Sequence, residues 1–303
     1  MDISLVSVIT VVYNGAATLE ATIRSVIDQT RSNVEFIIID GGSSDGSLDI
    51  IKRYADKITY WISEPDKGIY DAMNKGIAAS KADWLFFLGS DDVFYNDHVL
   101  SDIFGDALDK DYDFLYGDVV GNDYKGRYDG PFTFEKILIR NISHQAIFYK
   151  RSIFSKIGNF DLRYRLHADW DLNIRCFADR EMRIKYTDTV IAKFGTGGVS
   201  AAHDIAFLRN ALIEEKLKKL NDTGSAGLRA LRAYDDWWRL LRNAAIRSEG
   251  DIKEYARGEK VPETIKSMVR WQRKIPLAIL RVGVFSKSFM FASYLTNTLK
   301  GNI

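Results

Sequence analysis

"LVSVITVVYNG", residues 5–15, carries the first strong strand signal of the chain. Leu5 to Tyr13 is an apolar, β-branched run, and Asn14-Gly15 then breaks it. The run has no basic start and no small-residue cleavage site, so it reads as a first strand and not as a signal peptide. The next segment, Ala16 to Gln29, carries Leu19, Ile23, Val26 and Ile27 at helical spacing. Val34 to Ile39 is a second strand of near-continuous apolar residues, the pattern of a sheet covered on both faces.

The alternation continues for about 120 residues. Asp40 to Gly46 is a Gly- and Ser-rich turn, and Ser47 is positioned to cap a helix over 48–55. Strands are expected at 58–62 and 84–88, with a helix over 68–79 between them. Strand and helix in turn argue for a parallel sheet with crossover helices. Ligands of such sheets bind beyond the carboxyl ends of the strands. That rule selects Tyr13-Asn14, Asp40, Glu64 to Asp66, and the pair Asp91-Asp92. Farther on, Phe114 to Tyr116 reads as a short strand, 117–130 as a hairpin or loop, 146–150 as strand-like and 183–191 as a late strand. Asp169 and Asp171 fall just before, or in, the first turn of a helix, and "GTGGVSAAH", 195–203, reads as a flexible loop.

Composition narrows the chemistry. The net charge of +1 over 303 residues names no nucleic-acid partner. One cysteine, Cys176, permits no intrachain disulfide and no multi-cysteine zinc site. The chain has no G-x-G-x-x-G after its first strand, no G-x-x-x-x-G-K-[ST] and no G-x-S-x-G. A Rossmann dehydrogenase, a P-loop NTPase and an α/β-hydrolase each lack their signature. A nucleotidyltransferase would carry a basic Gly-rich loop after the first strand, and "YNGAATLE" has no Lys or Arg. Residues 261–303 hold seven Lys or Arg against one Glu, interleaved with Trp271, Phe285, Phe289, Phe291 and Tyr294. Such a basic amphipathic stretch suits a membrane interface, or packing against its own domain or a partner.

A rim of carboxylates suits the transfer of a sugar from a nucleotide. Carboxylate-held Mg2+ or Mn2+ neutralises a diphosphate leaving group, and a carboxylate base deprotonates the acceptor hydroxyl. The blocks "SVITVVYNGAATLEATIRSVIDQT", "EFIIIDGGSSDGS", "SEPDKGIYDAMNKGIAAS" and "DWLFFLGSDDVF" resemble the successive blocks of family 2 glycosyltransferases. "SHQAIFYKRSIF", "DWDLNIR" and "GGVS" continue the likeness, most closely to bacterial polysaccharide-biosynthesis members of the colanic-acid type. The resemblance covers residues 4 to about 200. It implies an α/β GT-A fold over 1–203, a mostly parallel central sheet flanked by helices, followed by a helical extension over 204–303.

The resemblance also implies residue roles. By it, Thr10, Val12, Tyr13 and Asn14 cradle the base, and Asp40 reads uracil. Asp40 and Asp45 equally suit hydrogen bonds within their own turn. Asp66, Gly68, Asp71, Asn74 and Lys75 line the nucleotide, and Met73 stands where many members have Arg. The metal motif, commonly Asp-x-Asp-Asp, here reads Gly89-Ser90-Asp91-Asp92. Asp91 is then the metal ligand, Ser90 a ribose or metal contact and Asp92 a brace. His203 is a further candidate metal or phosphate ligand. His144 and Gln145 line the acceptor or phosphate side. Asp169 is the general base of a single inverting displacement, with Asp171 its competitor. The expected partners are a UDP-sugar donor, a glycan or lipid-linked acceptor and, through 261–303, the inner face of the cell membrane. The expected location is cytoplasmic and peripheral. Self-association as a homo-oligomer is left open. A catalytically silent, membrane-associated assembly subunit is the rival reading, resting on Gly89 and Met73.

Overall fold

The first strand, β1 (Val6–Val12), is buried at every residue, so both of its faces are covered. It pairs in parallel with β2 (Val34–Asp40) on one side and β4 (Trp84–Gly89) on the other. On its far edge β2 takes β3 (Tyr60–Ser63), again in parallel. The crossovers are α1 (Ala16–Ile27), α2 (Ser47–Arg53) and α3 (Ile69–Ala79). α1 buries Leu19, Ile23 and Val26, one apolar stripe laid on the sheet. α3 approaches more closely: a Cβ on Gly76 would stand 2.4 Å from Ile9 Cγ2. Only a glycine lets the helix settle there, and that seating fixes where the first turn of α3 points. These descriptions come from a computed structural model and cover residues 6–105, 111–121, 124–137, 140–195 and 207.

Beyond β4 the pairing changes. After the two-residue β5 (Val93–Phe94) and α4 (Val99–Ile103) come the hairpin strands β6 (Phe114–Gly121) and β7 (Tyr124–Tyr128). Short α5 (Phe134–Ile137) and a 3-10 turn, His144–Ala146, lead into β8 (Ile147–Lys150). β8 inserts antiparallel between β4 and β6. α6 (Ser152–Lys156) and α7 (Ala168–Ala178) precede β9 (Ile184–Phe194), which runs parallel to β6 and antiparallel to β5. The sheet order among the described residues is β3-β2-β1-β4-β8-β6-β9-β5, with β7 on β6. The chain divides into two units, Met1–Ala202 and His203–Ile303, and of the second only Phe207 is described.

The two edges of the sheet differ. At the amino edge the buried polar groups pair with one another. Ser7 Oγ lies 2.6 Å from Ser80 Oγ and donates to Glu35, which also takes the amide of Lys81 at 2.8 Å. Arg151 Nη2 donates to Ser80 Oγ at 2.6 Å, and its Nε to the carbonyl of Ala82 at 2.7 Å. The carboxyl edge is less completely paired, and the candidate residues lie there.

Candidate active site

Loops after β1 and β2 are stitched together. Asn14 takes a left-handed φ of 51°, a conformation Asn tolerates better than most side chains. Its amide donates to Ser43 Oγ at 2.8 Å and its Oδ1 accepts from the Ser44 amide at 2.9 Å. Asp45 accepts from the Ser47 amide and hydroxyl and from the Ala16 amide at 2.8 Å, and these hydrogen bonds hold its carboxyl below the usual range. Ser47 is therefore the first residue of α2 and not its cap; Gly46, at φ 101°, holds that place. Tyr13 stands out from this frame, 69% exposed, and is no core aromatic.

Three residues expected at the base, Thr10, Val12 and Asp40, are buried instead. Thr10 has no exposed surface, because β1 is flanked by strands on both sides and covered on both faces. Val12 is almost as deeply buried. Asp40 is also fully buried, and its carboxylate is engaged by the Gly42 amide at 3.2 Å, the Ser43 amide at 3.0 Å, and the hydroxyls of Ser43 and Ser63. It holds its own turn and ties it to β3.

In the 66–75 block the side chains divide. Asp66 Oδ1 accepts the Gly68 amide at 2.8 Å, and Gly68, at φ 116°, opens α3. Asp71 accepts the Lys67 amide at 3.0 Å, a helix-start role. Lys75 is paired with Glu64 at 2.7 Å and with the Pro65 carbonyl, so it braces the loop after β3. Asn74 clamps the backbone of Phe160 through both its amide atoms. Met73 is buried in the core.

After β4 the two aspartates are not equivalent. Asp92 is buried and accepts from the Gly195 amide at 2.9 Å and from Gln145 Nε2 at 3.1 Å. Burial raises its carboxyl above the usual range, partly offset by His144. Asp92 is thus the brace, and Gln145, itself buried, serves it and does not face an acceptor. Asp91 is half-buried, with no protein hydrogen bond to its carboxylate among the described residues. It faces two glycines: a Cβ on Gly89 would lie 3.1 Å from its Oδ1, and one on Gly195 would lie 2.9 Å from its Oδ2. Ser90 Oγ sits 3.0 Å from the Cβ position of Gly15, at the start of α1. The Nε2 of His144 and the Oε1 of Gln145 are buried without hydrogen-bond partners among the described residues.

A divalent ion fits these donors in one mode. Among the described residues no three His, Cys, Asp or Glu side chains converge as a metal cage. One free carboxylate, Asp91, matches an ion that also takes phosphate oxygens and waters. A carboxylate at position 89 would not fit, because its Cβ would stand 2.6 Å from Asp92 Oδ2.

Asp169 opens α7 and is held at both oxygens. Tyr70, in the first turn of α3, donates its hydroxyl to Oδ1 at 2.6 Å, and Asn141 Nδ2 donates to Oδ2 at 2.9 Å. Asn141 Oδ1 in turn accepts from Asn173 Nδ2 at 2.9 Å, and Asn173 Oδ1 accepts from Tyr149 at 2.8 Å. Burial first, then the Asp169 charge, raises the Tyr70 hydroxyl well above its usual pKa, so it remains a donor. Asp171 points elsewhere: it pairs with Arg175 at 2.8 Å, while burial raises its carboxyl. Tyr70, Asn141, Asn173 and Tyr149 are not among the residues that sequence reasoning selects. Tyr70 is within its reach, because it stands inside the "DKGIYDAMNKG" block. His203 and the segments 196–203 and 261–303 lie outside the described residues. No described helix is long and apolar enough to cross a membrane.

Several known proteins are similar to this chain. A protein from Mycobacterium bovis named PGL/p-HBAD biosynthesis glycosyltransferase is 36% identical over 253 residues, covering 81% of this chain and 95% of its own. An uncharacterized glycosyltransferase of Mycobacterium tuberculosis is 35% identical over 213 residues, covering 65% and 77%. The fold is similar to that of S. aureus TarS 1-349 in complex with UDP-GlcNAc, with a TM-score of 0.58 at 15% identity, covering 95% of this chain and 92% of the other. It is similar too to the mannosyltransferase PcManGT from Pyrobaculum calidifontis in complex with GDP-Man and Mn2+, with a TM-score of 0.56 at 15% identity, covering 97% and 87%. The curled mixed sheet with its helices is of GT-A type. The profile of glycosyl transferase family 2 matches residues 7–171, more than half of the sequence, and the chain therefore belongs to that family and is a glycosyltransferase.

Proposed function

We propose that the chain is an inverting glycosyltransferase that moves a sugar from a UDP-sugar to a hydroxyl of a lipid-linked glycan in surface polysaccharide biosynthesis. One observation carries the reading. Two carboxylates stand at the same sheet edge in different states: Asp91 has no partner among the described residues, and Asp169 is fixed by Tyr70 on α3. The complex of the TarS neighbour with UDP-GlcNAc supports the donor class.

Asp169 accepts two hydrogen bonds, and a carboxylate offers about four lone-pair sites. It keeps capacity for the acceptor hydroxyl. That hydroxyl oxygen attacks the anomeric carbon from the face opposite the diphosphate, and its proton passes to Asp169. The bond from the anomeric carbon to the diphosphate oxygen breaks, and UDP leaves with the electron pair. A single displacement inverts the configuration. Asp91 would hold Mn2+ or Mg2+ together with diphosphate oxygens; when bound, the ion neutralises the charge of the departing diphosphate. Tyr13, Asn14, Asp66, Gly68, Ser90 and Asp91 border the nucleotide, and His144 lies toward the phosphates. Residues 1–203 form the catalytic domain in this reading, and 261–303 of the extension rest on anionic lipid at the inner membrane face.

Calorimetry of the purified chain with UDP and Mn2+ tests the core of the proposal. Measurable heat of binding is expected, together with a product of inverted anomeric configuration by NMR. Absence of UDP binding, or retention of configuration, defeats it. Co-sedimentation with anionic vesicles that survives deletion of 261–303 defeats the membrane assignment.

A further inference from the structure

Asp40 and Asp66 lie at the ends of neighbouring segments of the rim, and their acceptor capacities differ. The oxygens of Asp40 already receive the amides of Gly42 and Ser43 and the hydroxyls of Ser43 and Ser63. About four lone-pair sites are available on a carboxylate, so Asp40 has no capacity left for a ligand. It also has no exposed surface. Asp66 is half-buried, and only its Oδ1 has a protein donor among the described residues, the Gly68 amide at 2.8 Å.

Gly41 sets the place of the free oxygen. A Cβ there would stand 2.4 Å from Asp66 Oδ2 and 3.4 Å from Tyr13 Cδ2. Any side chain at 41 would occupy the space that the carboxylate oxygen fills beside the ring. The absence of a side chain thus brings an unengaged carboxylate oxygen next to a tyrosine that is 69% exposed. A ring face for stacking and a single in-plane acceptor match a flat heterocycle with one N–H on its edge. Uracil presents its imide N3–H in this way. Cytosine presents at N3 a bare lone pair, which a carboxylate repels, and its nearest donor, N4–H2, is displaced from that position. Guanine presents two adjacent donors, N1–H and N2–H2, which take both oxygens of a carboxylate, and here one of the two lone pairs of Oδ1 already takes the Gly68 amide.

We infer that Asp66, admitted beside Tyr13 by Gly41, reads the base of the nucleotide donor and selects uracil through its imide N–H. Asp40 shapes the turn behind it. The inference rests on the nucleotide-sugar reading of the site and adds the group that sets base specificity.

The test is calorimetric binding of UDP and CDP, both with Mn2+, to the full chain and three variants. The two ligands differ only in the base, so contributions of diphosphate and ion cancel in the ratio. Wild type is expected to favour UDP by about 10- to 100-fold, the span of a hydrogen bond to a charged group. Asp66→Asn brings the ratio toward one, with CDP gaining, because the amide N–H can donate to cytosine N3. Gly41→Ala displaces Asp66 without changing its chemistry and weakens UDP binding by about tenfold. Asp40→Asn lowers the melting temperature and keeps the ratio. If Asp66→Asn retains the wild-type ratio, or a folded Asp40→Asn loses it, the assignment of Asp66 is overturned while the transferase reading stands. If wild type binds neither nucleotide, both are overturned.

Discussion

The hydroxyl of Tyr70 donates to the carboxylate of Asp169 across 2.6 Å, joining the first turn of α3 to the first turn of α7. The two residues are 99 apart in sequence. The same hydroxyl also reaches the carbonyl of Leu166 at 2.9 Å, and the ring packs on Phe160 with centroids 5.5 Å apart.

Tyr70→Phe should therefore leave the ring seated and free one side of Asp169. The expected result is a kcat lower by about 10- to 100-fold with KM for the donor little changed, since a small misplacement of a reacting group costs rate before binding. Because burial and the Asp169 charge raise the Tyr70 hydroxyl well above its usual value, the alkaline limb of the pH–rate profile should coincide in the two proteins. Steady-state kinetics across pH checks both statements.

Asp169→Asn should reduce transfer by about 10²- to 10⁴-fold, the usual contribution of a positioned base, and leave UDP affinity intact. Parallel activity and calorimetric measurements decide it. Loss of UDP binding would make Asp169 a structural residue.

Asp91→Ala should abolish the Mn2+ dependence of UDP binding, because Asp91 is the free carboxylate at the end of β4 among the described residues. Titrations with and without Mn2+ measure it. An unchanged dependence would move the ion elsewhere.

Gly89→Asp restores the commoner acidic motif on paper. Its Cβ would stand 2.6 Å from Asp92 Oδ2 and 3.1 Å from Asp91 Oδ1, and a third negative charge would join them. The variant should lose about 1–3 kcal/mol of stability, as overpacked sites do, without tighter Mn2+ binding. Thermal unfolding and a metal titration provide the two readings.

Cys176, the one cysteine of the chain, is fully buried, and burial pushes its thiol up to about 12. A thiol reagent at pH 8 should label it only once denaturant has opened the domain. Fast labelling of the native protein would contradict the packing of α7.

The first half of the sheet is legible in the sequence because β1, β2 and β4 are continuous apolar runs punctuated by strong turns. The antiparallel insertion of β8 between β4 and β6 is not, since four residues carry no usable period. Asp91 and Asp169 are singled out through spacing and family likeness. The division between Asp91 and Asp92 depends on Gly195 and Gln145, which meet Asp92 from far along the chain. The tie from Asp40 to β3 is hidden for a similar reason: Ser63, its partner there, is 23 residues away. Asn141 carries no local signal, and Tyr70 only its place inside the block 66–76, because a hydrogen-bond partner is chosen by packing and not by its neighbours in sequence.

The line of hydrogen bonds from Tyr149 through Asn173 and Asn141 to Asp169 has a direction. An ionised carboxylate can only accept, so Asn141 must turn its nitrogen toward Asp169 and its oxygen toward Asn173. Asn173 must then turn its own oxygen toward Tyr149. One negative charge at the Asp169 end thus sets the facing of two amides and the heading of a phenolic proton in the core. In the proposed displacement Asp169 takes up the acceptor's proton; the constraint then relaxes along the whole line, and the two amides become a record of the protonation state of that carboxylate.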